Sequence, residues 1–183
     1  MSMLTKLGGV GWIILLVAGI LILVNQFVNN NILTIVDSYL LGIGILVVGL
    51  GAWALGRQVE HPLVTIGGYF GFVAGIWSII VYSLQLGGVV RGLYEMSFYS
   101  LSGITAGMSL TIITIALTSA FFLSVGLGVL QSCLKFRFPT IAGAGGVATM
   151  IIGVLYISFI GTASVSAFLI PASIINLIVF WLS

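Results

Sequence analysis

The chain has 183 residues, of which five are Lys or Arg and three are Asp or Glu, so that 4% of its positions are charged, against about 25% in a soluble domain. With 61% hydrophobic residues and a mean hydropathy of +1.36, this is the composition of an integral membrane protein. One His, one Cys and three carboxylates are too few for a metal cage or a bis-histidine haem site, and a net charge of +2 predicts no nucleic-acid partner.

Six apolar stretches, each near the roughly 20 residues that cross about 30 Å of hydrocarbon, predict an all-α bundle of six transmembrane helices. In chain order we expect helices over residues 7–24, 39–55, 63–84, 104–130, 141–159 and 163–182. The segments between them are too short for a further domain, so residues 1–183 form one transmembrane domain. Residues 1–24 are expected to stay in the protein as its first span, because no small-residue cleavage site follows them.

The basic residues predict how the chain crosses the membrane. Lys6, Arg57, Lys135 and Arg137 fall on one side of a six-span topology, whereas Arg91 falls on the other. Because cytoplasmic loops collect Lys and Arg, we expect a multi-pass protein of the cell membrane with both termini in the cytoplasm.

Two segments of the chain recur at the same spacing. The sequence Val-Gly-Leu-Gly occupies positions 48–51 and again 125–128, and Pro62 is matched by Pro139 at an identical offset. Helices one, three and five also open with similar residues, which predicts three hairpins repeated in parallel orientation. The alternative explanation is that Gly-rich apolar helices resemble each other by composition.

Glycine is the most informative residue type, with 25 copies. Spacings such as Gly67, Gly71 and Gly75 put small residues on one helix face, and small faces let helix backbones approach closely in lipid. This predicts a compact bundle packed through its glycine faces. The same faces could also dock a partner, and a homo-oligomer stays open as an alternative.

Asp37 is placed by the sequence just before the second helix, on the non-cytoplasmic side. A carboxylate at that point favours a helix N-terminus, so the expected role is that of a cap. The alternative is an entry site for a proton or cation, since ionisable groups at membrane depth are usually retained for transport.

The segment between helices three and four carries the candidate docking residues. Arg91 and Glu95 are four residues apart and are neighbours on a helix, with Tyr94 and Phe98 contributing to an apolar side. We therefore expect a short helix on the outer surface that either covers the bundle or docks a partner.

The candidate polar path lies inside the bundle. Thr111, Thr114 and Thr118 share roughly one face of helix four, and Asn176 follows Pro171 in helix six. These side chains could hydrate a passive pore, although hydroxyls that bond to their own helix explain the same residues. An active transporter is not expected, because it needs a group that changes charge near mid-membrane.

Three Gly-rich hairpins that return to short basic loops resemble the HdeD-like family of acid-resistance membrane proteins of bacteria and archaea. The residues that carry the resemblance are 17–23 in helix one, 42–51 and Arg57 in helix two, 73–76 in helix three, 126–130 with Lys135 and Arg137, and 153–155 in helix five. The resemblance implies a stress-protective function and no catalytic residues.

The function expected from the sequence is that of a non-enzymatic structural or accessory subunit, docked on other membrane-protein subunits through its glycine faces and outer loop. Two alternatives stay open: an autonomous HdeD-like stress protein, and a passive channel for a small solute or ion. Membrane lipids are expected partners in every case. No catalytic residue, metal ligand or cofactor-binding residue is assigned.

Overall fold

A computed structural model describes residues 3–28, 30–86, 101–158 and 162–182 of the chain. These residues form six α-helices: α1 (Met3–Val28), α2 (Asn31–Gln58), α3 (Pro62–Leu86), α4 (Leu101–Gln131), α5 (Pro139–Ile157) and α6 (Thr162–Leu182). A 3₁₀ helix, Cys133–Lys135, lies between α4 and α5. All six α-helices contain a stretch long and apolar enough to cross a membrane, which confirms the predicted all-α fold with six spans.

The start of α2 differs most from the sequence-based prediction. The helix was expected from residue 39 but begins at Asn31, while the other bounds agree within four residues. Asn30 is its N-cap, because the side-chain oxygen of Asn30 accepts a hydrogen bond from the backbone N–H of Ile32 at 2.8 Å. Asp37 therefore lies in the second turn of α2, and its predicted role as the helix cap is wrong.

The six helices form a closed ring. Each helix packs against its neighbours in the chain, and α1 also packs against α6. In such a ring α1 stands opposite α4, so contacts between these two helices cross the interior. The Trp12 ring of α1 lies 6.4 Å from that of Phe122 in α4 and 6.5 Å from that of Phe180 in α6. Large aromatic side chains thus fill the centre of the bundle.

Glycines bring neighbouring helices into backbone contact. A Cβ atom added at Gly51 would lie 2.2 Å from the Cα of Gly8, and one added at Gly49 would lie 2.5 Å from the nitrogen of Phe72. This confirms the predicted packing through glycine faces, since dispersion contacts hold helices together in lipid. At these contacts other helices of the same chain cover the glycines, and the docking of a partner on glycine faces stays a prediction.

The sequence repeat has a counterpart in these contacts. Gly11 of α1 faces Val48 of α2, and Gly67 of α3 faces Val125 of α4 in the same way, with the added Cβ closest to the nitrogen and Cγ2 of each valine. Val125 follows Val48 at the offset of the repeat, and Gly67 follows Gly11 at a second, shorter offset. Gly128 follows Gly51 at the offset of the repeat, and Val64 follows Gly8 at the shorter offset. The contact of Gly8 with Gly51 therefore corresponds to the contact of Val64 with Gly128. The hairpins α1–α2 and α3–α4 therefore pack alike.

Candidate functional site

Asp37 is the acidic residue that the fold places inside a helix. Its side chain is buried, with 6% of its surface exposed. Of the two other acidic residues, Glu60 is exposed in the turn between α2 and α3, and Glu95 lies outside the described residues. Ionisable groups within membrane-spanning segments are rare and usually functional, which makes Asp37 the leading candidate site residue.

Among the described residues, Ser38 supplies the hydroxyl that hydrogen-bonds to the Asp37 carboxylate. The hydroxyl of Ser38 donates to Oδ1 of Asp37 at 3.2 Å and to the carbonyl of Thr34 at 2.7 Å. The phenol of Tyr82 in α3 is within electrostatic range of this carboxylate.

The position of Asp37 along α2 places it near the edge of the hydrocarbon layer. The helix from Asp37 to Arg57 rises by about 1.5 Å per residue and is therefore about 30 Å long. That distance equals the usual thickness of the hydrocarbon core of a bilayer. If Arg57 lies at one membrane interface, as the topology predicts, this length predicts that Asp37 lies close to the opposite interface.

A polar rim lies at the same end of the bundle as Asp37. The side chain of Asn25 in α1 donates to the hydroxyl of Thr34 in α2 at 2.7 Å. The hydroxyls of Tyr39 in α2 and Ser83 in α3 are 2.9 Å apart and share a hydrogen bond. These bonds tie α1, α2 and α3 together at the end where Asp37 is buried.

The predicted threonine path takes part in helix packing. The hydroxyl of Thr114 donates to the carbonyl of Leu110 at 2.9 Å and accepts the indole N–H of Trp77 at 3.1 Å, which links α3 to α4. Thr118 is buried. The side chain of Thr111 lies outside the described part of the structure.

Asn176, the last residue of the predicted path, bonds within a different helix pair. Its Nδ2 donates to the hydroxyl of Thr149 at 2.8 Å and to the carbonyls of Gly145 at 3.3 Å and Ala172 at 2.9 Å. These bonds join α5 to α6, whereas Thr114 joins α3 to α4. Each of the two groups thus serves as an interhelical hydrogen-bond site of its own.

The four cations expected on the cytoplasmic side gather at the end of the bundle opposite Asp37. The hydroxyl of Thr5, next to Lys6, donates to Oε1 of Gln58 at 3.0 Å, which places the start of α1 beside the end of α2. The ammonium of Lys135 donates to the carbonyl of Val59 in the turn that follows α2. The grouping agrees with the predicted topology, and the side of the membrane that it faces stays a prediction.

Two arginines at this basic end rest on aromatic rings. The guanidinium carbon of Arg57 is 5.3 Å from the ring centre of Trp53, and that of Arg137 is 5.5 Å from the ring centre of Phe138. Both distances are in the range of cation–π contacts. Packing within the protein therefore holds these two side chains at the interface.

The candidate docking residues Arg91, Tyr94, Glu95 and Phe98 all lie outside the described residues. Within the described part of the chain, His, Cys, Asp and Glu side chains form no group of three or more that could hold a metal ion. Comparisons of the chain with protein-family models, curated proteins and solved structures find no match. The resemblance to the HdeD-like family stays a prediction.

The burial of Asp37 is the feature that sequence reasoning missed. Residues 29–31 are all Asn, and Asn is among the strongest N-cap residues. Taking Asn30 as the cap would have extended α2 by two turns and carried Asp37 into the helix. The hydropathy pattern does not reveal this N-cap, because a polar run before an apolar stretch is also typical of a loop.

Proposed function

We propose that the protein is a non-enzymatic six-span membrane protein whose conformation responds to protonation of Asp37, in keeping with the stress-protective function that the HdeD-like resemblance implies. The observation that carries the proposal is the burial of this carboxylate within α2, at the end of the bundle where hydrogen bonds join α1, α2 and α3. Burying a charged carboxylate away from water costs much more free energy than burying the same group protonated. Protonation of Asp37 therefore changes the energy of the packed state. Acid arriving on that side would therefore act on the packing of α2 against α3.

The groups that face Asp37 support this assignment. From α3 the titratable neighbour is Tyr82, and from α2 itself the hydroxyl of Ser38 donates to the carboxylate. Residues 20–28 of α1, which end at the same side of the bundle, contain no titratable side chain. Among the described residues, Asp37 is thus the carboxylic acid at this end of the bundle.

The test is a pH titration of the full chain reconstituted in liposomes, followed by tryptophan fluorescence and protease sensitivity between about pH 2 and about pH 8, a range that extends on both sides of the ordinary Asp pKa of about 3.9. The unmodified protein is expected to show a reversible transition. Asp37→Asn, which stays neutral at every pH, is expected to abolish it, and Asp37→Glu is expected to retain it.

Two matched variants control for other titrating groups. Glu60→Gln removes the exposed carboxylate in the turn after α2, and His61→Gln removes the single histidine of the chain. Both are expected to leave the transition in place. A transition that survives in Asp37→Asn and disappears in either control would contradict the proposal.

The second candidate is a structural or accessory subunit of a larger membrane complex. The filled interior favours it, since Trp12, Phe122 and Phe180 occupy the centre and leave the outer surface for interaction. Because glycines are used within the bundle, the exposed apolar side chains are a further surface for a partner.

Native mass spectrometry of the tagged protein, extracted gently from its own host membranes, separates the two candidates. A stoichiometric second chain would support the accessory subunit. A monomer or homo-oligomer together with a pH transition that depends on Asp37 would support the acid-responsive protein.

The passive channel has the least support. Phe122 of α4 stacks on Tyr156 of α5, with the centres of the two aromatic rings 5.9 Å apart. Phe122 also contacts Trp12 of α1 across the interior of the helix bundle. Side chains therefore occupy the part of the axis where α1, α4 and α5 meet. Conduction through the bundle would require these rings to move apart.

A further inference from the structure

A groove opens on the outer surface at the basic end of the bundle, where α1 packs against α6. It has a volume of about 380 Å³ and is lined by Met3, Lys6, Leu7, Val10 and Trp181. Gly9 shapes one wall, because a Cβ atom at this position would lie 1.9 Å from Cδ1 of Trp181. The indole therefore rests directly on the backbone of α1, with half of its surface still exposed.

Lys6 differs from the other three cations at the basic end. Each of those three side chains is engaged within the protein, two over aromatic rings and one on a backbone carbonyl. Lys6 is exposed, and among the described residues its ammonium has no hydrogen-bond or ion-pair partner. Its three N–H donors are available at the mouth of the groove.

We propose that this groove binds one anionic phospholipid. The ammonium of Lys6 contacts the headgroup phosphate through charge-assisted hydrogen bonds, and the indole of Trp181 lies at headgroup level, where tryptophan is enriched in membrane proteins. Leu7 and Val10, one and two turns of α1 closer to the membrane centre than Met3, form an apolar floor for an acyl chain.

Charge complementarity selects an anionic lipid over a zwitterionic one. Basic pockets between transmembrane helices on the cytoplasmic side bind anionic headgroups, and each Lys or Arg near the surface adds to that attraction. The apolar floor distinguishes a lipid from free phosphate, which would use Lys6 alone. The site lies at the opposite end of the bundle from Asp37 and does not depend on the proposed acid response.

Native mass spectrometry tests the proposal with the full chain in mild detergent, supplied with equal amounts of phosphatidylglycerol and phosphatidylcholine. The unmodified protein is expected to retain phosphatidylglycerol about fivefold more, the factor that one cation at an anionic membrane surface provides. Lys6→Gln is expected to lose most of this preference. Lys135→Gln, a matched change of a cation already bonded to Val59, is expected to keep it.

Equal retention of the two lipids by the unmodified protein would overturn the proposal, as would an equal loss of preference in Lys135→Gln. Displacement of the lipid by inorganic phosphate would also overturn it, because it would show an anion site without acyl-chain binding. A photoactivatable phosphatidylglycerol with its probe on the acyl chain is expected to crosslink to Leu7 or Val10. Crosslinks confined to helices other than α1 and α6 would contradict the assignment.

Discussion

At the scale of single residues, the space around a glycine decides what a methyl group does there. A Cβ atom at Gly51 would lie 2.2 Å from a backbone atom of Gly8, so α1 and α2 would have to separate. We expect Gly51→Ala to lower the free energy of unfolding by about 1–3 kcal/mol, the usual range for overpacking. Unfolding of the purified protein in mixed detergent micelles measures this change.

Gly143 provides the matched control for Gly51. A Cβ atom there would meet only Cδ1 of Leu130, at 4.0 Å, which is ordinary van der Waals contact. Because Ala is a better helix former than Gly, Gly143→Ala is expected to be neutral or to stabilise α5 by up to about 1 kcal/mol. If the two substitutions destabilised the protein equally, the backbone contact of Gly51 with Gly8 would not be the cause of the loss of stability.

The buried amide of Asn176 is expected to contribute to stability and not to conduction. Asn176→Leu removes the hydrogen bonds that join α5 to α6, and interhelical bonds of this kind contribute about 0.6–2 kcal/mol in membrane proteins. Thr149→Val is expected to have a smaller effect of the same sign. Liposome flux assays should give equal traces for both variants and the unmodified protein, and flux that falls in either variant would support the pore instead.

Asp37 and Asn176 illustrate how far the sequence predicts the candidate site. Asn176 was singled out from its residue type and from the depth that hydropathy gives it, whereas Asp37 was singled out by residue type alone and was placed before α2 instead of inside it. Their partners could not be predicted, because Tyr82 and Thr149 come from helices that only the packed ring brings close. The docking residues at 91–98 lie outside the described residues, so their role stays a prediction.

At the scale of helices, the two hairpins of the repeat exchange large and small residues across one contact. In the first hairpin Leu15 of α1 fills the space over Gly44 of α2, and in the second Phe121 of α4 fills the space over Gly71 of α3. Phe121 follows Gly44 at the offset of the repeat, and Gly71 follows Leu15 at the shorter offset. The two contacts therefore occupy the same place in the two hairpins. The first helix of the hairpin supplies the large side chain in α1–α2, and the second helix supplies it in α3–α4.

This exchange predicts a rescue between α1 and α2. Gly44→Leu alone should destabilise the protein, since its Cβ atom would lie 2.7 Å from Cδ2 of Leu15. Adding Leu15→Gly copies the arrangement of the second hairpin and is expected to recover about 1–3 kcal/mol relative to the sum of the single changes. Pairing Leu15→Gly with the distant Gly143→Ala should give additive effects, and additivity in both pairs would argue against the exchange.

At the scale of the whole molecule, the fold separates a basic end from the opposite end, where the polar rim and Asp37 lie. The positive-inside rule predicts that the basic end faces the cytoplasm. In a Cys133→Ser background, a membrane-impermeant maleimide should label Gln26→Cys in intact cells and Leu134→Cys only after permeabilisation. Both positions are exposed and lie at opposite ends of the bundle. The reverse labelling pattern would place the basic end outside.

Sequence patterns predicted the six spans but not the order of the helices around the ring. Hydropathy identifies a span because about 20 apolar residues suffice to cross the membrane. It does not identify the inward face, because large apolar side chains such as Val17, Ile43 and Ile76 are exposed around the bundle where lipid would lie. The contact between α1 and α6 is set by glycine and aromatic shape, which hydropathy does not measure.

The closure of the ring has a consequence for biosynthesis. Gly9 packs against Trp181, although α1 is synthesised well before α6. A ribosome delivers helices to the membrane one after another, so the face of α1 that α6 will cover stays open to lipid until α6 is delivered. During that interval the α6 helix of a neighbouring copy has the right shape to fill the gap. Slow delivery of α6 would therefore favour chains that exchange this helix with each other.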